Sequence, residues 1–425
     1  MKITINNATI VTSSGVYRKN ILICDGKIER IENKTIKAKG VDFEIDGKEL
    51  LVFPGFLDMH VHLREPGFEY KEDIFTGLTA AFRGGFTGVA CMANTNPVND
   101  NTTVTNFMKC KADACNLPVS LYPIAAITKG LAGESLVEMG ELKEAGAVAF
   151  SDDGNPVVNS DILRKAMDYA ETFNMPIICH SEDKSLSKNG IMNEGKISAL
   201  LGVPGIPREA EILGIYRDLS IAKLTNARVH IAHVSTKEGV NLIRKAKKDG
   251  VRVTCETCPQ YFMLTEEELL GFNVYGKVNP PLRCSDDIAA IKEALADGTI
   301  DVIASDHAPH HKDEKELELD KAAFGMIGLE SMVPLCLELV REGLIDFKDL
   351  AEKLSRKPHK ILGLKPPAIN VGEEANLTII NPTEEWFFTE DNIASKSKNT
   401  PFIGRKLTGR AKYIIKKGEV FEIQT

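Results

Sequence analysis

Asp58, His60 and His62 recur at a spacing of two in the segment Leu51 to Gly67, and Arg64 follows with the same parity before Pro66-Gly67 turns the chain. The residues leading into them are apolar and rich in β-formers, so the three polar side chains share one face of a strand. Two imidazoles fixed on one strand face form half of a metal site. Zinc accepts neutral imidazole nitrogens, and ligands held on a rigid strand lose little freedom on binding. A His-x-His pair also arises by chance on exposed strands, so its chemistry has to be judged by its company. Arg64 places a fixed cation beside the pair, an arrangement that suits an anionic substrate.

Such a site needs a rigid scaffold, and the central chain supplies the pattern of one. Between residues 51 and 364 an apolar strand followed by an amphipathic helix repeats. The strand candidates are Val52 to His62, Gly88 to Met92, Val119 to Ile127, Ala147 to Phe150, Pro176 to His180, Arg228 to His233, Val251 to Cys255 and Asp301 to Ser305. Helical spacing of three and four recurs between them, as in Lys71 to Arg83, Asp161 to Phe173, Glu209 to Leu224, Lys237 to Lys247 and Asp286 to Ala296. Eight such units predict an α/β fold, a (β/α)8 TIM barrel with catalytic residues at the C-terminal ends of its strands. An open doubly wound sheet is the alternative, but neither a Gly-rich dinucleotide fingerprint nor a P-loop accompanies it. The two ends of the chain differ in texture. Short strands at Lys2 to Val11, Ile21 to Cys24 and Lys27 to Ile31, with Asp25-Gly26 as a hairpin turn, are matched by Glu374 to Ile380, Ala411 to Ile415 and a turn at Lys417-Gly418. We therefore expect residues 1–50 and 365–425 to pair into one composite β-sandwich domain beside a barrel of residues 51–364.

The barrel reading makes a demand that the sequence can answer, since further ligands should sit at other strand ends. Strand four ends in Ser151-Asp152-Asp153-Gly154 and strand five in His180. Strand six carries His230 and His233, and strand eight ends in Asp306-His307 with His310 and His311 close behind. Of the nine histidines only His359 lies elsewhere. Histidines with purely structural roles would be scattered over helices and strand middles as well. His230 is separated from His233 by an odd number and reads as a core or supporting residue. His307 reads as support for Asp306, His311 as a loop residue and Asp58 as a hydrogen-bond partner. Either Asp152 or Asp153 could reach a metal.

Composition bounds the rest. A chain of 425 residues with 43% hydrophobic residues fills a large core, and a net charge of −8 argues against non-specific nucleic-acid binding and offers no polybasic membrane patch. An anionic ligand must therefore be drawn by local positive charge. The N-terminus lacks the apolar core of a signal peptide and no run of about 18 apolar residues occurs, so a cytoplasmic location is expected. Nine cysteines, scattered through apolar segments, read as reduced and mostly buried thiols. Cys255 and Cys258 have no second pair to complete a zinc ribbon and read as structural.

In barrel order, His60-x-His62, His180, His233 and Asp306 resemble the amidohydrolase superfamily. The motifs Asp58 to Gly67, Met92-Ala-Asn94-Thr-Asn-Pro97, Phe150 to Gly154, Ser305 to His310, Phe324 to Glu330 and Ser395 to Phe402 narrow the resemblance to the dihydroorotase family, in its longer, class I form. The resemblance implies zinc-dependent, reversible closure of N-carbamoyl-L-aspartate to L-dihydroorotate with loss of water, in pyrimidine biosynthesis. It implies His60, His62, Asp153, His180, His233 and Asp306 as ligands of one or two zinc ions, with Asp306 also transferring the proton. It further implies substrate contacts from His62, Arg64, Asn94, Asn279, His310 and the Phe324-Gly325 backbone, under a mobile loop from His311 to Lys321. Strand four carries no lysine to bridge two metals, which places the sequence with the aspartate-type branch. Gln260-Tyr261 after strand seven is similar to hydantoinases and keeps a cyclic-ureide hydrolase, hydantoinase or allantoinase, as the alternative. A non-catalytic partner of aspartate transcarbamoylase is a third reading, at odds with a full set of ligands. A homodimer, or a complex with that transcarbamoylase, is compatible by resemblance alone.

Overall fold

The computed structural model describes residues 1–424. Two eight-stranded sheets carry the fold, with a short two-stranded ladder beside them. The first sheet takes strands from both chain ends: β1 (Lys2–Thr12), β2 (Gly15–Cys24), β3 (Lys27–Glu32), β4 (Phe43–Asp46) and β5 (Leu51–Pro54), then β16 (Leu377–Phe387), β17 (Lys406–Lys416) and β18 (Glu419–Glu422). Its order is β18-β17-β16-β5-β1-β2-β3, with β4 alongside β1. The two ends are joined through β5, expected in the barrel, and β16; the two strands run antiparallel from Leu51↔Ile380 to Pro54↔Leu377.

The second sheet is parallel throughout and forms a nearly closed barrel. It comprises β6 (Phe56–Val61), β7 (Phe86–Cys91), β8 (Ser120–Ala125), β9 (Ala149–Ser151), β10 (Ile177–Cys179), β13 (Val229–Ile231), β14 (Val253–Thr257) and β15 (Val302–Ile303). Between β10 and β13 lie the two-residue strands β11 (Met192–Asn193) and β12 (Gly205–Ile206) of the small ladder. A bridge between Val61 and His307, with His62 N donating to His307 O at 2.9 Å, brings the first strand to the end of the last. These strands are legible as continuous apolar runs because helices cover their outer faces. Leu57, Met59, Ala90, Met92, Ile124, Ala149, Ile178, Ala232, Val302 and Ala304 pack together with Ile361 and Leu362. Residues contributed by strands around the whole ring can meet only in its interior. The chain before Ile361 closes the lower end, where Ser355 Oγ donates to Gly55 O at 2.8 Å.

The sequence suggests a single first strand from Val52 to His62, but the structure divides it at Gly55. Leu51–Pro54 joins the terminal sheet and Phe56–Val61 opens the barrel. A side chain at Gly55 would lie 2.2 Å from Asn376 Oδ1 and 2.4 Å from Thr87 Oγ1, so the crossing requires glycine. The two sheets are also joined by Thr378, whose hydroxyl accepts from Phe56 N at 3.2 Å and donates to Gly85 O at 2.7 Å. The predicted helices form with shifts of a few residues at their ends, as in Ile74–Arg83, where Asp73 caps the first turn. Among the described residues no helix is long and apolar enough to cross a membrane.

Candidate active site

His60 lies within β6, but several other strands of the barrel stop just short of the residue that the site uses. Beyond β13, His233 has φ 35°, and beyond β15, Asp306 has φ 48°. Arg64, past β6, has φ 63°. Left-handed backbone at non-glycine residues is uncommon and costs about 1–3 kcal/mol unless surrounding structure imposes it. Here it turns side chains off the strand period and over the barrel mouth.

Asp153 lies at the centre of the cluster. Its Oδ1 is 3.6 Å from His60 Nε2, 3.5 Å from His180 Nδ1 and 3.4 Å from His233 Nε2, and its Oδ2 is 3.5 Å from His62 Nε2. Asp306 Oδ1 lies 3.2 Å from His62 Nε2 and 3.5 Å from His60 Nε2. All six residues are buried. Two overlapping sets, His60/Asp153/His233 and His60/His62/Asp306, present their donor atoms within 4.8 Å of one another. Buried polar atoms are almost always partnered, yet His60 Nε2 and Asp153 Oδ1, which face each other across this cluster, have no hydrogen bond. Four imidazoles, two carboxylates and unpartnered donor atoms fit a divalent cation. The electrostatics agree. Burial opposes the charge on His180, but Asp153 and Glu182 outweigh it and lift the imidazole to about 9. Burial also opposes the charge of Asp153, yet His60 and the hydrogen bonds of His180 and His233 hold its carboxyl well below the ordinary range. A field that favours an imidazolium also favours a metal cation.

The side chains behind this cluster set which ring nitrogen faces inward. Glu256 Oε1 lies 2.6 Å from His60 Nδ1, and its Oε2 lies 3.2 Å from His230 Nε2. His230 thus stands behind the cluster, with Thr254 Oγ1 2.8 Å from its Nδ1. Glu182 Oε2 lies 3.0 Å from His180 Nε2 and takes Lys184 Nζ at 2.6 Å. Asn94 Oδ1 lies 2.9 Å from His62 Nδ1. Asp58 accepts from His60 N and Ser305 N, and its burial pushes the carboxyl up to about 7. Asp152 turns away from the cluster to accept from Ile127 N at 2.7 Å, Thr128 N at 3.1 Å and the Thr128 hydroxyl. His307 Nδ1 accepts from Gly328 N at 3.2 Å while Nε2 faces Glu72. Glu182 and Glu256 were not assigned from the sequence. The signal was available, because a carboxylate inside an apolar strand end needs a buried partner.

A cavity of about 600 Å³ opens over the cluster. Its wall includes Arg64, Asn94, Asn279, His310, Phe324 and Gly325 together with His62, Asp153, His180, His233 and Asp306. Arg64 Nε donates to Pro309 O at 3.1 Å and a terminal nitrogen lies 3.3 Å from His310 Nε2. Burial and the neighbouring Arg64 charge push His310 down to about 2, so this imidazole is neutral. Asn279 Nδ2 stands 3.4 Å from both His180 Nε2 and Glu182 Oε2. The stretch after His310, expected as a mobile loop, begins with the short helix Lys312–Lys315, whose Lys315 reaches the loop around Gly325. That buried ammonium donates to the carbonyls of Lys277, Ala323 and Gly325 at 3.0, 2.8 and 2.9 Å. Gln260 and Tyr261 do not line the cavity. Tyr261 is buried and donates to Pro280 O at 2.7 Å. All nine cysteines are free, Cys255 and Cys258 included.

The family model described as dihydro-orotase-like matches residues 48–239. The dihydroorotase of Geotalea daltonii is 52% identical over 401 residues, 94% of each chain. That of Pelobacter propionicus is 48% identical over 422 residues, 99% of each. Among solved structures, L-hydantoinase (dihydropyrimidinase) from Arthrobacter aurescens superposes with a TM-score of 0.88 at 26% identity, covering 98% of this chain and 95% of that one. A D-hydantoinase superposes with a TM-score of 0.87 at 25% identity, covering 100% and 96%. The barrel is therefore shared with hydantoinases, while identity near one half over almost the whole length is to dihydroorotases. The chain belongs to the dihydroorotase family, hydrolases acting on the C–N bond of cyclic amides, within the amidohydrolase superfamily.

Proposed function

We propose that this chain is a class I, aspartate-type dihydroorotase that closes N-carbamoyl-L-aspartate to L-dihydroorotate, reversibly and with loss of water, using one or two zinc ions. The observation that carries the reading is Arg64. Its guanidinium is buried to 9% exposure in the cavity wall, and among the described residues no carboxylate lies within ion-pair distance of it. A buried, unpaired cation is costly, and a substrate carboxylate removes that cost through charge-assisted hydrogen bonds. Hydantoins carry no such carboxylate. Gln260 and Tyr261, the residues that favoured a hydantoinase, lie outside the cavity.

His60, His62, Asp153, His180, His233 and Asp306 would hold the zinc, with His60 fixed by Glu256 and His180 by Glu182. A bound zinc ion supplies Lewis-acid chemistry, polarising a carbonyl oxygen and making water acidic enough to lose a proton near neutral pH. Arg64, Asn94 and His310 orient the substrate by its α-carboxylate, and Asn279 and the Phe324-Gly325 backbone complete the contacts. In ring closure Asp306 accepts the proton of the ureido nitrogen as that nitrogen attacks the side-chain carboxyl carbon. In ring opening it returns a proton to the departing nitrogen. One carboxylate therefore serves both directions. On the same reading residues 1–50 and 365–425, with β5 between them, form a β-sandwich domain beside the barrel of the 51–364 span, the enzyme works in the cytoplasm, and a homodimer or an aspartate transcarbamoylase complex is compatible with it.

The test is ring opening of dihydroorotate, followed by absorbance, beside 5-methylhydantoin and allantoin, with metal content measured on the same sample. We expect turnover of dihydroorotate that falls at least 100-fold in Arg64→Ala while zinc stays bound, as for loss of one partner of a buried charge pair. Preferential turnover of a hydantoin would replace this reading with the hydantoinase one.

A further inference from the structure

Two segments of the connection that follows β15 meet in the cavity wall, where Ala308 N donates to Met326 O at 2.8 Å. One runs from Ala308 to His310 beyond β15, the other through Phe324 and Gly325. They are joined by a residue from outside the barrel, Asn399, which is 2% exposed. Its Oδ1 accepts from His310 N at 3.1 Å, and its Nδ2 donates to Ala308 O and to Gly325 O, each at 3.1 Å. Its own carbonyl accepts from Ile327 N at 3.0 Å. A carboxamide offers two N–H donors and an acceptor oxygen in one plane, and here both donors and the oxygen are engaged between these loops.

The loops are in close contact where Asn399 joins them. Gly325 has φ 134°, and a side chain there would lie 2.8 Å from Ala308 Cβ. Its N–H donates to Lys277 O at 3.0 Å, while its carbonyl takes Lys315 Nζ in addition to Asn399. The adjoining Pro309 carbonyl is the acceptor for Arg64 Nε. The guanidinium, the His310 imidazole and the Gly325 peptide thus refer their positions to one buried amide.

We propose that Asn399 is a positioning residue for the substrate carboxylate, holding the His310 and Gly325 loops at the separation that lets Arg64 and His310 grip it together. This rests on the reading of the cavity as a dihydroorotate site. Positioning of a binding group acts on affinity for the group it binds and leaves the proton transfer at Asp306 intact.

The experiment compares the zinc-loaded full-length protein with Asn399→Ala and Asn399→Asp. It reads KM and kcat for dihydroorotate, the Kd of orotate, inhibition by 5,6-dihydrouracil, which lacks the carboxylate, and zinc content. The expected result is a KM and an orotate Kd raised at least tenfold, with kcat within threefold, dihydrouracil inhibition within twofold and zinc unchanged. Asn399→Asp keeps the volume and the acceptor for His310 N, so it carries the test if the alanine variant does not fold. Failure of both to fold assigns Asn399 to folding and overturns the inference, as does equal weakening of orotate and dihydrouracil. An active wild type with unmoved KM and orotate affinity in the variants overturns the inference alone, whereas a wild type inert toward dihydroorotate overturns the function itself.

Discussion

Glu256 and His60 are joined at 2.6 Å between Oε1 and Nδ1, and the same carboxylate reaches His230 at 3.2 Å through its other oxygen. Glu256 thereby fixes the tautomer of His60 that turns Nε2 toward Asp153 and Asp306. Loss of a carboxylate behind a metal-binding histidine typically costs 10- to 100-fold in metal affinity or activity. Glu256→Ala is therefore expected to lower zinc affinity by about that factor, with Glu256→Gln retaining part of it. Competition with a chelator measures the effect, and an unchanged zinc affinity would contradict the role.

The proton transfer proposed for Asp306 can be separated from the fold. Its left-handed φ of 48° is one that asparagine adopts readily, so Asp306→Asn keeps the backbone while removing the base. We expect kcat to fall about 10²- to 10⁴-fold in both directions of the reaction. Retention of more than a tenth of wild-type kcat would place the proton transfer elsewhere.

Gly214, in the helix Glu209–Thr225, lies directly against the loop that follows His180. A side chain there would lie 2.6 Å from Glu182 N and 2.6 Å from the Ser181 carbonyl carbon, both backbone atoms. Gly214→Ala is expected to cost about 1–3 kcal/mol by overpacking. It should also weaken zinc binding, because relief requires movement of the His180 to Glu182 segment. Thermal unfolding with and without zinc checks both; equal Tm for variant and wild type would show that the helix yields instead.

Glu330 gives a pH dependence away from the metal cluster. It is 9% exposed, and burial pushes its carboxyl up to about 7, although Ala394 N and Ser395 N donate to it at 2.9 and 3.2 Å. In the unfolded chain it titrates near its ordinary value of 4.5. Its folded pKa is the higher one, so its stabilising contribution is complete below the unfolded pKa and is lost as pH rises through 7. Glu330→Gln lacks this titration. The Tm of the variant relative to wild type should rise between pH 5 and pH 8, by a free energy on the order of 3 kcal/mol. A pH-independent difference would count against the assignment.

How far the sequence could be read follows from where its periodicities hold. The eight barrel strands are apolar runs buried on both faces, and each is recognisable without a partner. The division at Gly55 is not, because β5 and β6 form one unbroken apolar stretch and only the crowding by Asn376 and Thr87 shows that it serves two sheets. The site divides in the same way. His60 and His62 could be grouped by parity at the end of a strand, whereas Arg64, His233 and Asp306 take left-handed backbone that no spacing rule describes. Asp153 and Asp152 are neighbours in sequence, and only the bonds of Asp152 to Ile127 and Thr128 separate them. Glu256 was obscured by the cysteines on either side of it, and Asn399 by a distance along the chain across which no local pattern extends.

The late position of Asn399 and of β16 has a consequence for the chain as it is made. The six residues proposed to bind metal have all been synthesised by residue 306, yet Thr378, which joins the barrel's first strand to the terminal sheet, and Asn399, which bonds to the His310 and Gly325 segments of the cavity wall, emerge from the ribosome only afterwards. A nascent chain therefore holds every residue proposed to bind metal, and the wall residues from Arg64 to Gly325, before the amide that ties the His310 and Gly325 segments together has been made. Translation through Asn399 is what joins the two, so the positioning proposed for the wall is established well after the cluster it serves has been made.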